Sequence, residues 1–325
     1  MTLPSLGDAP LSEAYQSIIK GILDEFVEGL PKVNGHLRIG LRYLHGNSFQ
    51  DYLEKYMRPL IIKGVPSIMI DLREFYTEPT KISMIGDYLA KAIQSMESEM
   101  TLREGDEEEQ DPTVLLWLYY FMSQHNLFQN NIAEALKYAD KAVAHTPTLL
   151  ELYTLKAKIY QKAGDRKKAA ELFEEARNLD KADRAINAES AMHTLKTGDV
   201  ENGIKIMDIF VKDCGYDVSI HDNQTMWFEQ MTGKAHYMNK DYRQALKEFK
   251  YMQLHAEHMV EDHYDYYQFM FRKFTLKSFE DLMTFADKTL KQNREVIQGA
   301  INYLRLDHQV QKNKDAELAA FEPLH

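Results

Sequence analysis

The chain has 325 residues, is 44% hydrophobic and 27% charged, and carries a formal net charge of -11. An acidic balance of this size argues against attraction to nucleic acid as a whole-chain property, so no DNA partner is expected. The single cysteine, Cys214, excludes an intramolecular disulfide, and no apolar run approaches the ~20 residues of a spanning helix, so a cytoplasmic protein without a membrane partner is expected.

The start, MTLPSLGDAPLSEAY, lacks the basic and apolar regions of a secretory signal. Residues 12–30 predict an amphipathic helix, with Ile18, Ile19, Ile22, Leu23 and Phe26 at helical spacing and Ser12 as N-cap. PKVNGHLRIG then reads as a connection. Residues 48–62, 66–77 and 80–98 predict three further helices, divided by Gly64, Pro66 and Pro79. The stretch REGDEEEQDP, Arg103 to Pro112, holds six acidic residues among ten and reads as a solvated linker. It divides an N-terminal helical segment, 1–102, from an array over 113–325.

Within the array a period of 34 appears. Tyr153, Ala157, Tyr160, Ala169, Phe173 and Ala176 follow the large–small pattern of a tetratricopeptide repeat. One period earlier stand Ala135, Ala139 and Ala142; one period later stand Ala191 and Gly198, after Ala157 and Gly164. Units are predicted near 116–149, 150–183 and 184–217. A fourth, 226–259, follows after a longer loop in VKDCGYDVSI, with Gly233, Ala245 and Phe249 at the repeat positions, and further helices run to the end. The predicted fold is all-α, a right-handed superhelical solenoid of antiparallel helix pairs. Ala135, Ala142, Ala157, Gly164, Ala169, Ala176, Ala191, Gly233 and Ala245 are read as small crossing positions, because a leucine there would block the ~8–10 Å approach of two helix axes.

Candidate chemistry is sparse. QMTGKA, Gln230 to Ala235, matches the phosphate-loop pattern of acyl-CoA-binding acetyltransferases, but it falls inside a predicted helix, where its N–H groups are already used. His255, His258 and His263 cluster in HAEHMVEDHYD, which reads as a solvated polar helix end rather than a metal site. No P-loop, dinucleotide loop or nucleophile elbow is present, so no catalytic residue, metal or required cofactor is assigned and the chain is not read as an enzyme. Lys158, Lys162, Arg166, Lys167 and Lys168 form a basic patch that Arg184 and Lys196 extend, a surface suited to a polyanion. The first helices of successive units line a concave face. Its candidate partner-binding residues are Trp117, Tyr120 and Gln124, then Thr154 and Lys158, then Ala188, Met192 and Leu195. That mixed, partly apolar lining suits a folded partner or an amphipathic helix.

Six stretches then occur in one order: NSFQDYLEKYMRPLIIKGVPSIMIDLREFY, PTVLLWLYYFMSQH, TPTLLELYTLKAKIYQKAGD, LDKADRAINAESAM, MWFEQMTGKAHYM and DHYDYYQFMFRKFTLKSFEDLM. Together they resemble the middle of the auxiliary, ribosome-anchoring subunits of the N-terminal acetyltransferase A complex, from about Leu44 to about Leu306. The resemblance implies a scaffold that wraps a catalytic acetyltransferase subunit for co-translational N-terminal acetylation and does no acetyl transfer itself. It implies the ribosome as a further partner, and a middle portion of a longer protein. It also implies inositol hexakisphosphate at the subunit interface, with Lys158, Lys162 and Arg184 as its contacts. Glu189 and Met192 stand where the family carries lysines, which points to a weakened phosphate site. The alternative from the repeats alone is a tetratricopeptide adaptor in another complex, which has no reason to carry KGVPS upstream.

Overall fold

The computed structural model describes residues 12–30, 33–210, 221, 224–272, 280 and 294–321. Among them there is no β-strand. The α-helices are α1 (Glu13–Gly29), α2 (Gly35–Tyr43), α3 (Gly46–Ile62), α4 (Ile68–Asp71), α5 (Pro79–Glu99), α6 (Pro112–Phe128), α7 (Ile132–His145), α8 (Leu150–Ala163), α9 (Arg166–Leu179), α10 (Arg184–Lys196), α11 (Val200–Asp208), α12 (Met226–Met238), α13 (Tyr242–Arg272) and α14 (Arg294–Phe321). A short 3-10 helix, Leu72–Thr77, follows α4. The VKDCGYDVSI insertion and part of the chain after Arg272 lie outside the described residues.

The chain forms two compact units, 1–164 and 165–325. The boundary expected at 103–112 therefore falls elsewhere. The acidic stretch is stitched into the first unit: Arg58 of α3 pairs with Asp106 at 2.7 Å, and the Gln110 amide donates to the Met100 carbonyl at 2.7 Å. Leu102, just before the stretch, and Gln110, within it, are buried, while Glu107, Glu108 and Glu109 remain exposed. A run of like charge resists packing only where the charges lack partners, and Arg58 supplies one. The predicted second repeat straddles the observed boundary, with α8 in the first unit and α9 in the second.

The first unit centres on α6, which is apolar around its circumference and packs on α3, α4, α5, α7 and α8. PKVNGHLRIG, read as a connection, contains most of α2. Its two glycines look like breakers, yet Gly40 sits under the Tyr52 ring, and a Cβ there would lie 2.3 Å from Tyr52 Cδ1. With Leu37 and Leu41 buried on the same face, the segment is a helix shaped by close approach rather than by propensity. The α1 reading holds for the helix but not for its face. Only Leu23 is buried, while Ile18, Ile22 and Phe26 are more than half exposed.

His125 of α6 is enclosed by Tyr76, Gly86 and Gln129. Its Nε2 lies 2.7 Å from the Gln129 amide nitrogen, which can only donate; Nδ1–H therefore donates to the Tyr76 oxygen at 2.6 Å. Burial pushes the imidazole down to about 4, so the folded state holds it neutral. The unfolded chain takes up that proton first, near the ordinary histidine value, so the contribution is complete above pH 6.5 and is lost as pH falls toward 4. Between pH 6.5 and 5 the wild type is expected to lose about 2 kcal/mol from this residue. Urea unfolding across that range checks it: His125→Asn should flatten the slope, and an unchanged slope would remove His125 as the cause.

The repeat register is visible in the turns. Positions 130, 164, 198 and 240 all adopt left-handed backbone, at φ 63°, 92°, 92° and 64°. Their spacings are 34, 34 and 42, the spacings read from the sequence, and the next residue in each case, Asn131, Asp165, Asp199 or Asp241, immediately precedes the helix that follows. Asp165, Asp199 and Asp241 accept from backbone N–H groups of the helices they open. Gly164 is therefore a turn residue, not a crossing position: it is exposed, and nothing lies within 4 Å of where its Cβ would be. The other small positions are closely packed. Ala135, Ala142, Ala157, Ala169, Ala176, Ala191 and Ala245 are fully buried, and the Phe249 ring rests on Gly233. Phe173 is buried and stacks on His193 at 4.1 Å.

Candidate functional site

The predicted partner-facing residues fall in both units. In the first, Trp117 projects from the first turns of α6 onto the Gly64 turn, edge-on to Tyr120 at 5.5 Å and stacked near Phe121 at 6.1 Å. Trp117 and Gln124 are half-buried. Tyr120 is not surface: it is buried in the core, and burial beside Glu151 pushes its hydroxyl up to about 12. The predicted open face thus stops short of Tyr120, because α6 buries several faces at once. Thr154 is half-buried and its hydroxyl donates to the Glu151 carbonyl of its own helix at 2.9 Å. Lys158 is exposed on α8. Lys162, one turn on, donates to the Leu127 carbonyl at the end of α6, so its ammonium serves as a helix C-cap.

In the second unit, Ala188 and Met192 of α10 are half-buried, one turn apart, and Glu189 beside them is partly exposed. Leu195 is buried instead, packed with Ala191, Ile206 and Phe228 and lying over Gly203. Its assignment to the open face is corrected: α11 approaches α10 closely because Gly203 has no side chain, and Leu195 fills that contact. The Arg184 guanidinium lies over the Phe210 ring at 5.5 Å. Lys196 is half-buried, and burial lowers its affinity for a proton; Glu189 opposes the shift, while Arg166 and Lys234 add to it. The cationic cluster of this unit thus joins α9, α10 and α12. Lys234 was not legible in the sequence, since it stands 38 residues beyond Lys196 with no motif linking them.

Two other predicted features find their places. QMTGKA lies within α12, with Gly233 packed beneath Phe249. His258 is exposed, and the side chain of His263 lies outside the described residues. His255 departs from expectation. It is not at a solvated helix end but 4% exposed on α13, where its Nε2–H donates to Glu229 Oε1 at 2.6 Å. The helix runs unbroken from Tyr242 to Arg272, so residue 255 is interior to it and faces α12.

The family described as N-terminal acetyltransferase A, auxiliary subunit, matches residues 8–322. Over 251 residues the chain is 34% identical to the N-terminal acetyltransferase A complex auxiliary subunit NAA15 of Arabidopsis thaliana, covering 77% of this chain and 28% of that protein. Over 269 residues it is 30% identical to N-alpha-acetyltransferase 16, NatA auxiliary subunit, of Mus musculus, covering 82% and 31%. The fold is similar to a chain in a solved structure described as "Structure of Naa15/Naa10 bound to HypK-THB", with a TM-score of 0.84 at 23% identity, covering 96% of this chain and 47% of that one. The chain spans less than a third of these two curated relatives and about half of the solved chain. No helix among the described residues is long and apolar enough to cross a membrane. With the family matched over residues 8–322, this chain belongs to the auxiliary subunits of N-terminal acetyltransferase A.

Proposed function

We propose that the chain is a non-catalytic scaffold that holds and shapes the catalytic acetyltransferase subunit of an N-terminal acetyltransferase A complex. The family match over residues 8–322 carries this reading, and the relatives named as auxiliary subunits support it. The fold likeness to a chain from a Naa15/Naa10 assembly adds support. Trp117, Gln124, Thr154 and Lys158 in the first unit, and Ala188 and Met192 in the second, supply the accessible part of the predicted contact surface. Work beside the ribosome in the cytoplasm, on emerging chains, belongs to the same proposal. Inositol hexakisphosphate is proposed as a ligand of Lys158, Lys162 and Arg184. Lys158 and Arg184 are exposed, whereas Lys162 would have to leave the Leu127 carbonyl.

Size-exclusion chromatography of this chain with the catalytic acetyltransferase subunit of the same organism tests the scaffold reading. A stoichiometric complex is the expected result; two separate peaks from folded components would overturn it for a chain of this length. Met192→Glu should weaken the complex roughly 10- to 100-fold, since it places a charge where apolar contact is expected, and should leave the circular dichroism unchanged. Equal affinity for the variant would move the contact surface away from α10.

A further inference from the structure

We propose that His221, Glu229 and His255 form a binding site for a divalent transition-metal cation of the zinc class. The three residues come from separate places: His221 precedes α12, Glu229 lies in the first turn of α12, and His255 lies midway along α13. They are 4%, 0% and 4% exposed. His221 Nδ1 and His255 Nε2 each approach the same oxygen, Glu229 Oε1, at 2.6 Å. One donor atom from each of the three residues lies within 4.8 Å of the others.

Two features point to a cation. First, Glu229 is fully buried, and among the described residues its ion-pair partners are these two histidines, with no lysine or arginine. A buried carboxylate needs a compensating positive charge. Second, among the described residues Glu229 Oε2 is buried without a hydrogen-bond partner. A metal held by this carboxylate supplies the charge and engages the donor set together. The chemistry is selective: two imidazole nitrogens and one carboxylate oxygen suit zinc, whereas calcium and magnesium favour all-oxygen shells. The Tyr251 ring stacks on His221 at 3.7 Å and 13°, which fixes the plane of that imidazole. In a tetrahedral shell with ~2.0–2.1 Å bonds the donors sit a little over 3 Å apart, so the 2.6 Å contacts open by less than about 1 Å when the ion replaces the shared protons. Three protein donors leave the fourth position to solvent. The role is structural: the ion ties the segment before α12 to the α12–α13 pair.

The test uses the tag-free 325-residue chain, stripped with a chelator and titrated with Zn(II) against a chromophoric competitor. One equivalent bound per chain, and a four-coordinate visible spectrum with Co(II), are expected. Glu229→Gln and His255→Asn should each weaken binding about 10-fold or more, while His258→Ala, exposed on the same helix, should leave it unchanged. Absence of stoichiometric uptake by the wild type overturns the proposal without recourse to variants, and shows that a proton shared between imidazole and carboxylate balances Glu229. Uptake unaffected by folded Glu229→Gln and His255→Asn overturns it equally. If both variants fail to fold, the Co(II) spectrum of the wild type decides: octahedral, weakly absorbing cobalt excludes this site.

Discussion

Replacing Lys81 with methionine should lower the stability of the first unit by about 3 kcal/mol. Lys81 is 1% exposed, and its ammonium donates to the Leu41 and Arg42 carbonyls at 3.2 and 3.3 Å and to Glu78 Oε1 at 3.1 Å. It also lies 5.3 and 5.1 Å from the Phe49 and Phe75 ring centres. Those two carbonyls belong to the last turn of α2, where backbone acceptors have no partner within the helix and the dipole is negative. Methionine fills the space but leaves the carbonyls without a donor, and each buried orphan costs ~1–3 kcal/mol. Lys81→Arg should not rescue, because a planar fork is bulkier than an ammonium in a closed site. The two tryptophans fall one in each unit, Trp117 and Trp227, so a Trp227→Phe background lets Trp117 fluorescence report urea unfolding of the first unit. A loss below about 1 kcal/mol would mean that water reaches the α2 end and substitutes for the ammonium.

Gly64→Val is expected to cost a similar amount, about 3 kcal/mol, for a different reason. Gly64 holds φ +64°, and a Cβ there would lie 2.3 Å from Trp117 Nε1 and 2.9 Å from Cε2. Valine meets both obstacles: left-handed strain of ~1–2 kcal/mol and overpacking of ~1–3 kcal/mol. Gly105→Ala separates them. Gly105 also has positive φ, at 82°, but nothing lies within 4 Å of its would-be Cβ, so it should show the strain alone. The valine variant should also shift Trp117 emission and weaken capture of the catalytic subunit, since the displaced indole belongs to the proposed contact surface. Unaltered emission with normal stability would show that the turn yields without moving Trp117.

The KGVP wording that marked the family resemblance thus has a physical basis in this contact. Sequence could flag Gly64 as a breaker between two helices; it could not show that an indole 53 residues later lies against it. The same limit separates the two outcomes for the small residues. Ala135, Ala157, Ala169 and Ala191 are buried crossing positions because they recur on the inner faces of helices, and periodicity reports faces. Gly164 shares their spacing but serves a left-handed cap, and composition alone does not distinguish a glycine needed for its backbone from one needed for its size.

Helix existence, the 34-residue period and the family were legible in the sequence because each rests on local spacing or on ordered runs of residues. Four things were decided only by tertiary packing: the burial of Lys81, the loss of Tyr120 and Leu195 from the open face, the fastening of the acidic stretch by Arg58, and the meeting of His221, Glu229 and His255. Each depends on which side chain from a distant helix arrives at a given point. Spacing along one helix records which way a residue faces, whereas its partner is set by how that helix crosses the next.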